Sequence, residues 1–193
     1  ENVLREIDFL VNKYHVKEIN IYDDCFNFDI KRAEKIMDLI AKRDYKLYIR
    51  FSNCIRADKI TKKLLIKMKR AGTDFIAFGI ESGNPEVRKF IGKNFDLGQA
   101  RELIEYANRI GMWTICTFII GFPYETKEQI MDTINFSISS DTDQAVFYLL
   151  CPHPGTRVYE VFKKEGLLDF DAILEREAAL GYAELASLGH ALA

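Results

Sequence analysis

Apolar residues along this chain follow two patterns, short continuous runs and a helical period of three to four residues. The runs have the length of strands that are buried in a parallel sheet. They cover residues 16–22, 46–52, 75–80, 112–120 and 145–150. Between them, apolar residues fall on one face of a helix. The predicted helices cover residues 2–14, 30–40, 61–71, 85–91, 97–110, 126–138 and 157–164.

Strands and helices therefore alternate, with one strand roughly every 30 to 40 residues, which is the size of a βα unit. Such alternation predicts a parallel α/β sheet or barrel with right-handed crossovers. The first predicted helix precedes the first predicted strand, so we expect one further strand upstream of Glu1. The absence of an initiator Met agrees with a segment of a longer protein.

Chain length and net charge limit the number of domains and the kinds of partner that this chain is expected to have. A chain of 193 residues with 48% hydrophobic residues is enough for one domain with a sizeable core. The net charge of −2 gives no electrostatic reason to expect nucleic acid or an anionic membrane as partner. No apolar run is long enough to span a membrane. We expect one domain at residues 1–170 and a helical tail at 171–193, whose origin the sequence leaves open.

Polar residues follow each predicted strand. These are Asp23-Asp24, Asn53 with Arg56, Glu81-Ser82, Gly121 with Glu125, and His153. Because the carboxyl ends of parallel strands meet at one edge, these groups would suit a polar ligand with hydroxyls and charged ends. Each group also has a plainer explanation. The Asp pair can cap a helix, Arg56 can pair with Asp58, and Ser82 can cap a turn. Gly121 can relieve crowding, and His153 can be a turn residue.

The four cysteines are Cys25, Cys54, Cys116 and Cys151, and they are far apart in the sequence. Their spacing matches neither a zinc site nor a redox pair, so we expect reduced intracellular thiols.

Several segments, taken in order, resemble the radical S-adenosylmethionine enzymes, in particular the subgroup that often carries an N-terminal cobalamin-binding domain. They are Gly79-Ile80-Glu81-Ser82-Gly83, residues 117–126 (TFIIGFPYET) and residues 152–156 (PHPGT). Residues 19–26 (INIYDDCF) and 56–58 (RAD) are similar to that subgroup too. The resemblance extends over about residues 1–170, nearly all of the predicted barrel.

This resemblance implies a partial (β/α)6 TIM-like barrel of parallel strands, with the first strand and the cluster loop lying upstream of this chain. It also implies a cytoplasmic oxidoreductase or transferase in which a 4Fe-4S cluster cleaves S-adenosylmethionine reductively to a 5′-deoxyadenosyl radical. The radical would act on a small-molecule or other substrate that the sequence does not identify. Cobalamin, in an upstream domain of the same protein, is a further cofactor of the subgroup.

The resemblance assigns eight residues to S-adenosylmethionine. They are Asp23, Asp24, Asn53, Arg56, Glu81, Ser82, Ile119 and Gly121. The aspartate pair is implied to bind the methionine ammonium, since carboxylates suit a cation. The resemblance implies that Asn53 and Arg56 meet the methionine carboxylate or the substrate. Glu81 and Ser82 would contact the ribose, and Ile119 and Gly121 would contact the adenine.

Two departures from the family pattern stand out. No CxxxCxxC spacing for the cluster occurs here, so we expect the cluster cysteines upstream and no radical chemistry from this chain alone. Thr117 stands where related sequences often have glycine.

Two alternatives remain. One is a non-catalytic interaction module that docks through an open sheet edge beside residues 16–22. The other is a TIM-barrel enzyme with phosphate-binding loops, suggested only by Pro154-Gly155-Thr156.

Overall fold

The computed structural model describes residues 2–43, 45–93 and 95–168. The chain divides into two compact units, residues 1–150 and residues 151–193. The predicted tail at 171–193 and its boundary at residue 170 lie outside the described residues and stay predictions.

Among its described residues, the first unit has five strands and six α-helices. The strands are β1 (Glu18–Asn20), β2 (Tyr48–Ile55), β3 (Thr73–Glu81), β4 (Trp113–Ile120) and β5 (Gln144–Leu149). The helices are α1 (Asn2–Tyr14), α2 (Ile30–Ala41), α3 (Lys62–Arg70), α4 (Pro85–Phe90), α5 (Leu97–Arg109) and α6 (Lys127–Ser139). A short 3-10 helix, Ala57–Lys59, lies between β2 and α3.

The five strands form one parallel sheet in the order β1-β2-β3-β4-β5. Each strand pairs with the one before it in the chain, which is the order of a (β/α) barrel. The predicted α/β class and parallel strands are therefore confirmed. All five strands end at the same side of the sheet, which we call the carboxyl edge.

Local sequence explains where the helices begin. Asp29 caps α2, Thr61 caps α3 and Asp96 caps α5, each side chain accepting a hydrogen bond from a backbone N–H of the first turn. Thr126 and Gln129 form a capping box at the start of α6.

The hydrophobic core lies on one face of the sheet, which we call the outer face. Phe51, Phe78 and Phe118, one from each central strand, are fully buried there in a cluster that includes residues of α2, α3, α5 and α6. The opposite face, which we call the inner face, is only half-buried at residues such as Arg50 and Thr117. The apolar runs predicted buried strands, and the described residues bury the outer face of the sheet.

The sheet departs from regular pairing at three positions. The register shifts between Ile49 and Arg50 and between Phe51 and Ile55 of β2, and between Gly79 and Glu81 of β3. As a result β2 continues to Ile55, whereas the apolar run predicted an end at Ser52. Asn53 therefore lies within β2 and does not follow the strand as predicted.

The second unit contributes one described helix, α7 (Arg157–Lys164), capped by the side chain of Thr156. His153 is exposed, and its carbonyl oxygen accepts a hydrogen bond from the Thr156 hydroxyl at 2.7 Å, as expected of a turn residue. Among the helices that the structure describes, none is long and apolar enough to cross a membrane.

Candidate functional site

The inner face carries polar contacts in layers that run toward the carboxyl edge. Farthest from that edge, Arg50 forms ion pairs with Glu18 at 3.1 Å and Asp74 at 3.4 Å. Nearer to it, Asn20 donates to the Ser52 hydroxyl at 2.8 Å. These contacts link β1, β2 and β3 and make the inner face hydrophilic.

The last layer before the carboxyl edge joins Cys54, Gly79 and Thr117. The Cys54 sulfur lies 3.3 Å from the Thr117 hydroxyl, and Gly79 pairs with Thr117 in the sheet. A Cβ on Gly79 would lie 3.3 Å from the Cys54 Cβ, so the glycine lets the neighbouring side chains approach. Thr117, which departs from the family pattern, thus belongs to this layer.

Glu81 ends β3 in an unusual backbone conformation. Its φ is +66°, and the Ser82 N–H donates to the Ile80 carbonyl at 2.9 Å across it. This is a γ-turn with positive φ, which is rare and strained for a residue with a side chain. The register shift at this point is a bulge, a device that re-aims a side chain. The Glu81 carboxylate consequently lies 3.1 Å from the Cβ position of Gly79, on the inner face.

Lys93, in the loop after α4, directs its side chain to the Glu81 carboxylate. Its Nζ donates to Glu81 Oε1 at 2.6 Å and lies 3.3 Å from the Cβ position of Gly79. No pattern in the sequence predicted a role for this residue. A lysine directly after a glycine that ends a short helix was the available signal, but nothing local shows where such a side chain points.

Ser82 and Gly83 hold the turn against α6. The Ser82 hydroxyl is fully buried, lies 3.1 Å from the Thr133 hydroxyl and accepts from the Asn84 N–H at 3.1 Å. The Gly83 N–H donates to the Thr133 hydroxyl at 2.9 Å. The described contacts of Ser82 are therefore structural, and its predicted contact with a ribose stays a prediction.

Arg88 supports the turn from α4. Its guanidinium is buried, donates to the Ser82 carbonyl at 3.1 Å and lies 5.6 Å from the Phe95 ring centre. Burial lowers the pKa of this guanidinium, although the Asp96 carboxylate opposes the effect. The turn that carries Glu81 is thus fixed from two helices, α4 and α6.

In the loop after β4, a glutamate side chain accepts hydrogen bonds from backbone N–H groups of the same loop. Glu125 Oε2 accepts from the Gly121 N–H at 2.7 Å and the Phe122 N–H at 3.1 Å. Gly121 has a φ of +89°, and the part of the chain that the structure describes places no atom within 4 Å of the Cβ it lacks. Ile119, two residues earlier, is half-buried. The pair predicted for the adenine thus offers an apolar side chain beside open space, and its contact with a ligand stays a prediction.

The two predicted aspartates lie in the loop after β1. Asp23 and Asp24 are exposed. The Asn53 side chain donates to the carbonyls of Tyr22 at 3.4 Å and Asp23 at 3.2 Å, which ties this loop to β2. Asn53 therefore positions the loop, and the aspartate carboxylates remain accessible to a cation.

Arg56 makes the contact with Asp58 that the sequence offered as its plainer explanation. Two parallel hydrogen bonds, of 2.9 and 2.7 Å, join the guanidinium to the carboxylate. They raise the pKa of Arg56 and hold the pKa of Asp58 below its ordinary value. A methionine carboxylate at Arg56 would have to share the guanidinium with Asp58.

Asn27 is a second residue that the sequence analysis missed. Its side chain has no exposed surface. It accepts from the Arg56 N–H at 3.2 Å and donates to the carbonyls of Arg56 at 2.9 Å and Lys59 at 2.8 Å. Asn27 thus joins the loop after β1 to the segment after β2, and no sequence signal distinguished it from a solvated loop residue.

The four cysteines stay separate. Cys116 is buried on the outer face, Cys25 and Cys54 are half-buried, and Cys151 is exposed. Within residues 2–43, 45–93 and 95–168, no three His, Cys, Asp or Glu side chains gather where they could hold a metal ion. Burial raises the pKa of Cys54 and raises that of Cys116 to about 12.

We expect a thiol reagent at pH 8 to modify Cys151 first and to spare Cys116 until the protein unfolds, because the reacting species is the thiolate. Peptide mass spectrometry of the native and urea-unfolded protein measures this order. Cys151→Ser removes the fast reaction and serves as the control. Modification of Cys116 in the native protein as fast as Cys151 would contradict the burial described for it.

Comparison with known proteins identifies the family. Residues 1–137 match the sequence model of the Radical SAM superfamily. The chain belongs to the radical SAM superfamily. The assignment made from the motifs is thereby confirmed.

Two curated relatives of this radical SAM chain are methyltransferases by name. An uncharacterised methyltransferase of Pyrococcus horikoshii is 36% identical over 168 residues, which are 87% of this chain and 36% of the relative. Cytidylyl-2-hydroxyethylphosphonate methyltransferase of Streptomyces wedmorensis is 26% identical over 183 residues, 91% of this chain and 34% of the relative. The chain spans about a third of the length of these relatives.

Solved structures share the fold of the radical SAM chain. The methyltransferase TsrM from Kitasatospora setae, solved with cobalamin and a 4Fe-4S cluster bound, superposes with a TM-score of 0.69 at 18% identity. The match covers 76% of this chain and 30% of TsrM. The cobalamin-dependent enzyme OxsB gives a TM-score of 0.60 at 20% identity, over 90% of this chain and 26% of OxsB. At these identities the likeness concerns the fold.

Proposed function

We propose that this chain forms the S-adenosylmethionine-binding part of a radical SAM methyltransferase. The observation that carries the proposal is Glu81, a carboxylate held on the inner face by a strained turn within the motif Gly79–Gly83. Strained backbone and bulges of this kind concentrate at functional sites. The methyltransferase names of these two relatives favour methylation over cyclisation or rearrangement, while other relatives of the chain are methylthiotransferases by name.

The carboxyl edge has groups that fit each part of S-adenosylmethionine. Glu81 Oε2 has no hydrogen-bond partner among the described residues, so it can accept from ribose hydroxyls. The exposed carboxylates of Asp23 and Asp24 suit the methionine ammonium. Ile119 and the open space beside Gly121 suit the flat adenine ring.

When bound and reduced by an iron-sulfur cluster, S-adenosylmethionine supplies the 5′-deoxyadenosyl radical that this superfamily uses. The residues described here would bind and orient that molecule and limit its contact with water. The cysteines do not fit a cluster, because Cys54 contacts Thr117 while Cys116 is buried on the outer face. We therefore assign no step of the reaction to a cysteine of this chain.

The proposal extends to the whole protein in three respects. A cobalamin-binding domain upstream would agree with the fold shared with TsrM and OxsB. The cluster cysteines would also lie upstream, as the family pattern implies. The cytoplasmic location stays a prediction, and the substrate is not identified.

The test is the variant Glu81→Gln in the full-length protein, purified without oxygen and with its cluster reconstituted. We expect at least about tenfold weaker binding of S-adenosylmethionine, because a charged hydrogen-bond acceptor is lost. Calorimetry measures the binding, and chromatography measures the reductive release of 5′-deoxyadenosine.

Glu102→Gln is the matched control, since Glu102 is exposed on α5 and pairs only loosely with Lys62, at 3.6 Å. It should bind and cleave S-adenosylmethionine as the wild type does. A full-length protein that carries its cluster and neither binds nor cleaves S-adenosylmethionine would rule out the proposed function. If Glu81→Gln binds S-adenosylmethionine as the wild type does, Glu81 is not part of the binding site, and the proposed function is not contradicted.

A further inference from the structure

Helices α1 and α2 enclose an open cleft, which we call the α1–α2 cleft. Its volume is about 670 Å³, and the described residues that line it are Asn2, Val3, Leu4, Arg32, Lys35, Ile36 and Leu39. Its floor is apolar, since Val3 is 37% exposed and Ile36 and Leu39 are half-buried. A cleft of this size can take the apolar side chains of a surface segment of another protein.

The charged residues that line the cleft are both cations. Arg32 and Lys35 lie on the same stripe of α2 as the apolar residues Ile36 and Leu39, by their helical spacing. The ion pairs of the described residues include neither Arg32 nor Lys35. The whole chain has a net charge of −2, so this basic rim is a local feature.

The side of α2 that faces α3 is neutralised instead. Glu34 pairs with Lys63 at 2.7 Å, and Asp38 pairs with Lys67. The hydrogen bond from Lys63 holds the pKa of Glu34 below its ordinary value. The cations of α3 thus have counter-ions within the described chain, whereas the cations of the α1–α2 cleft can take theirs from a partner.

The cleft lies beside the carboxyl edge. Asp29 ends the loop after β1 and caps α2, and the cleft begins in the first turn of that helix, at Arg32. Phe28, directly before the cap, is exposed, and the Lys59 ammonium lies 5.0 Å from the centre of its ring. A protein seated in the cleft would therefore come close to the edge where the proposed function places S-adenosylmethionine.

Reductive cleavage of S-adenosylmethionine needs one electron from outside the enzyme. The donor is oxidised by one electron, and the sulfonium takes that electron as its bond to the 5′ carbon breaks, which leaves methionine and the 5′-deoxyadenosyl radical. Protein complexes that transfer electrons have small interfaces, and charge steers their encounter. A small apolar floor with a basic rim fits an acidic donor.

We propose that the α1–α2 cleft is the docking surface for an acidic electron-carrier protein, whose carboxylates pair with Arg32 and Lys35 while an apolar side chain enters the cleft. This inference rests on the proposed function and concerns a surface outside the residues assigned to S-adenosylmethionine. The electron carrier is a separate protein, and its contact with the cleft lasts only for the transfer.

The test reverses the two charges in the full-length protein with its cluster reconstituted, as Arg32→Glu/Lys35→Glu. The probe is flavodoxin, an acidic protein that carries an electron on a flavin. Calorimetry should show at least about tenfold weaker binding of flavodoxin than to the wild type. Salt should weaken the wild-type complex much more than the variant complex, because the Debye length falls from about 30 Å at 0.01 M to about 8 Å at 0.15 M.

Dithionite separates docking from chemistry, because this small reductant needs no docking surface. Release of 5′-deoxyadenosine driven by dithionite should be the same in the variant and the wild type, while release driven by reduced flavodoxin should fall. Lys62→Glu/Lys127→Glu is the matched control, since it reverses two exposed lysines at the first residues of α3 and α6, outside the cleft. It should bind flavodoxin as the wild type does. Thermal unfolding of each variant verifies that it is folded.

Val3→Cys locates the partner directly. A maleimide should label this cysteine in the full-length protein, and flavodoxin should slow the labelling, as peptide mass spectrometry measures. A cysteine that stays unlabelled without flavodoxin would show that the protein's own chain covers the cleft, which overturns the proposal. Equal labelling with and without flavodoxin overturns it too.

The remaining outcomes separate the two proposals. A protein with its cluster that releases no 5′-deoxyadenosine under dithionite would overturn the proposed function and this inference with it. Release under dithionite would leave the function standing. In that case, flavodoxin that binds the wild type no better than Arg32→Glu/Lys35→Glu, or an equal loss in the control variant, would overturn the docking surface alone.

Discussion

Gly83→Ala is expected to lower the free energy of unfolding by about 3 kcal/mol, at the upper end of what overpacking costs. A Cβ on Gly83 would lie 2.5 Å from the Asp132 carbonyl oxygen and 2.6 Å from the Thr133 Cα. Both are backbone atoms of α6, so no side chain can rotate away. The turn would have to move off α6, which would also break the 2.9 Å hydrogen bond from the Gly83 N–H to Thr133. Urea unfolding followed by circular dichroism measures the loss.

Gly92→Ala is the control for a glycine that is needed for another reason. Gly92 has a φ of +74°, and no atom of the described residues lies within 4 Å of the Cβ it lacks. Alanine there should cost only the left-handed conformation, about 1 kcal/mol. An equal cost for the two variants would mean that the turn is not packed against α6 as described. Since Glu81 lies two residues before Gly83, we also expect Gly83→Ala to weaken ligand binding at the carboxyl edge.

The fold could be predicted because its signals are local. The apolar period of each segment depends on residues within one or two turns, and so does the capping box of Thr126 and Gln129. Alternation of the two periods then limits the arrangement to a parallel α/β sheet. The structure agrees on the order of all elements that fall within the described residues.

The sequence predicted which loops form the candidate site but not the contacts that each residue makes there. The polar strand ends placed Glu81, Asp23 and Gly121 at one edge. The contacts that decide their roles are long-range, as when the Ser82 hydroxyl meets Thr133 fifty-one residues later. Whether Asn53 lies in a strand or after it depends on a register shift between β2 and β3, which no apolar pattern encodes.

Residues that return to a site from a loop are the hardest to predict. Lys93 reaches Glu81 only because a Schellman motif turns the chain back. Asn27 is buried only because the segment after β2 covers it. In both cases the residue type was compatible with a solvated loop, and the packing of other segments decided otherwise.

Asn27→Asp is expected to lower the free energy of unfolding at pH 7 by about 3 kcal/mol, because it removes two buried hydrogen bonds and buries a charge. The side-chain amide donates to the carbonyls of Arg56 and Lys59, at 2.9 and 2.8 Å. A carboxylate there would direct its negative oxygen at both carbonyl oxygens in a fully buried position. The loop after β1, which holds Asp23 and Asp24, would lose its connection to the segment after β2. Urea unfolding at several pH values measures both the size and the cause of the loss.

The pH dependence of the free energy of unfolding shows why Asn27→Asp destabilises the protein. Burial facing two carbonyls raises the pKa of the introduced carboxyl above its unfolded value of about 3.9. The deficit should therefore be smallest below that pH, where the protonated carboxyl can still donate one hydrogen bond, and should grow as the pH rises. Asn53→Asp makes the same chemical change at an exposed side chain with hydrogen bonds of 3.4 and 3.2 Å, and should cost under about 1 kcal/mol. A deficit that is equal in the two variants, or independent of pH, would show that Asn27 does not hold the two segments together.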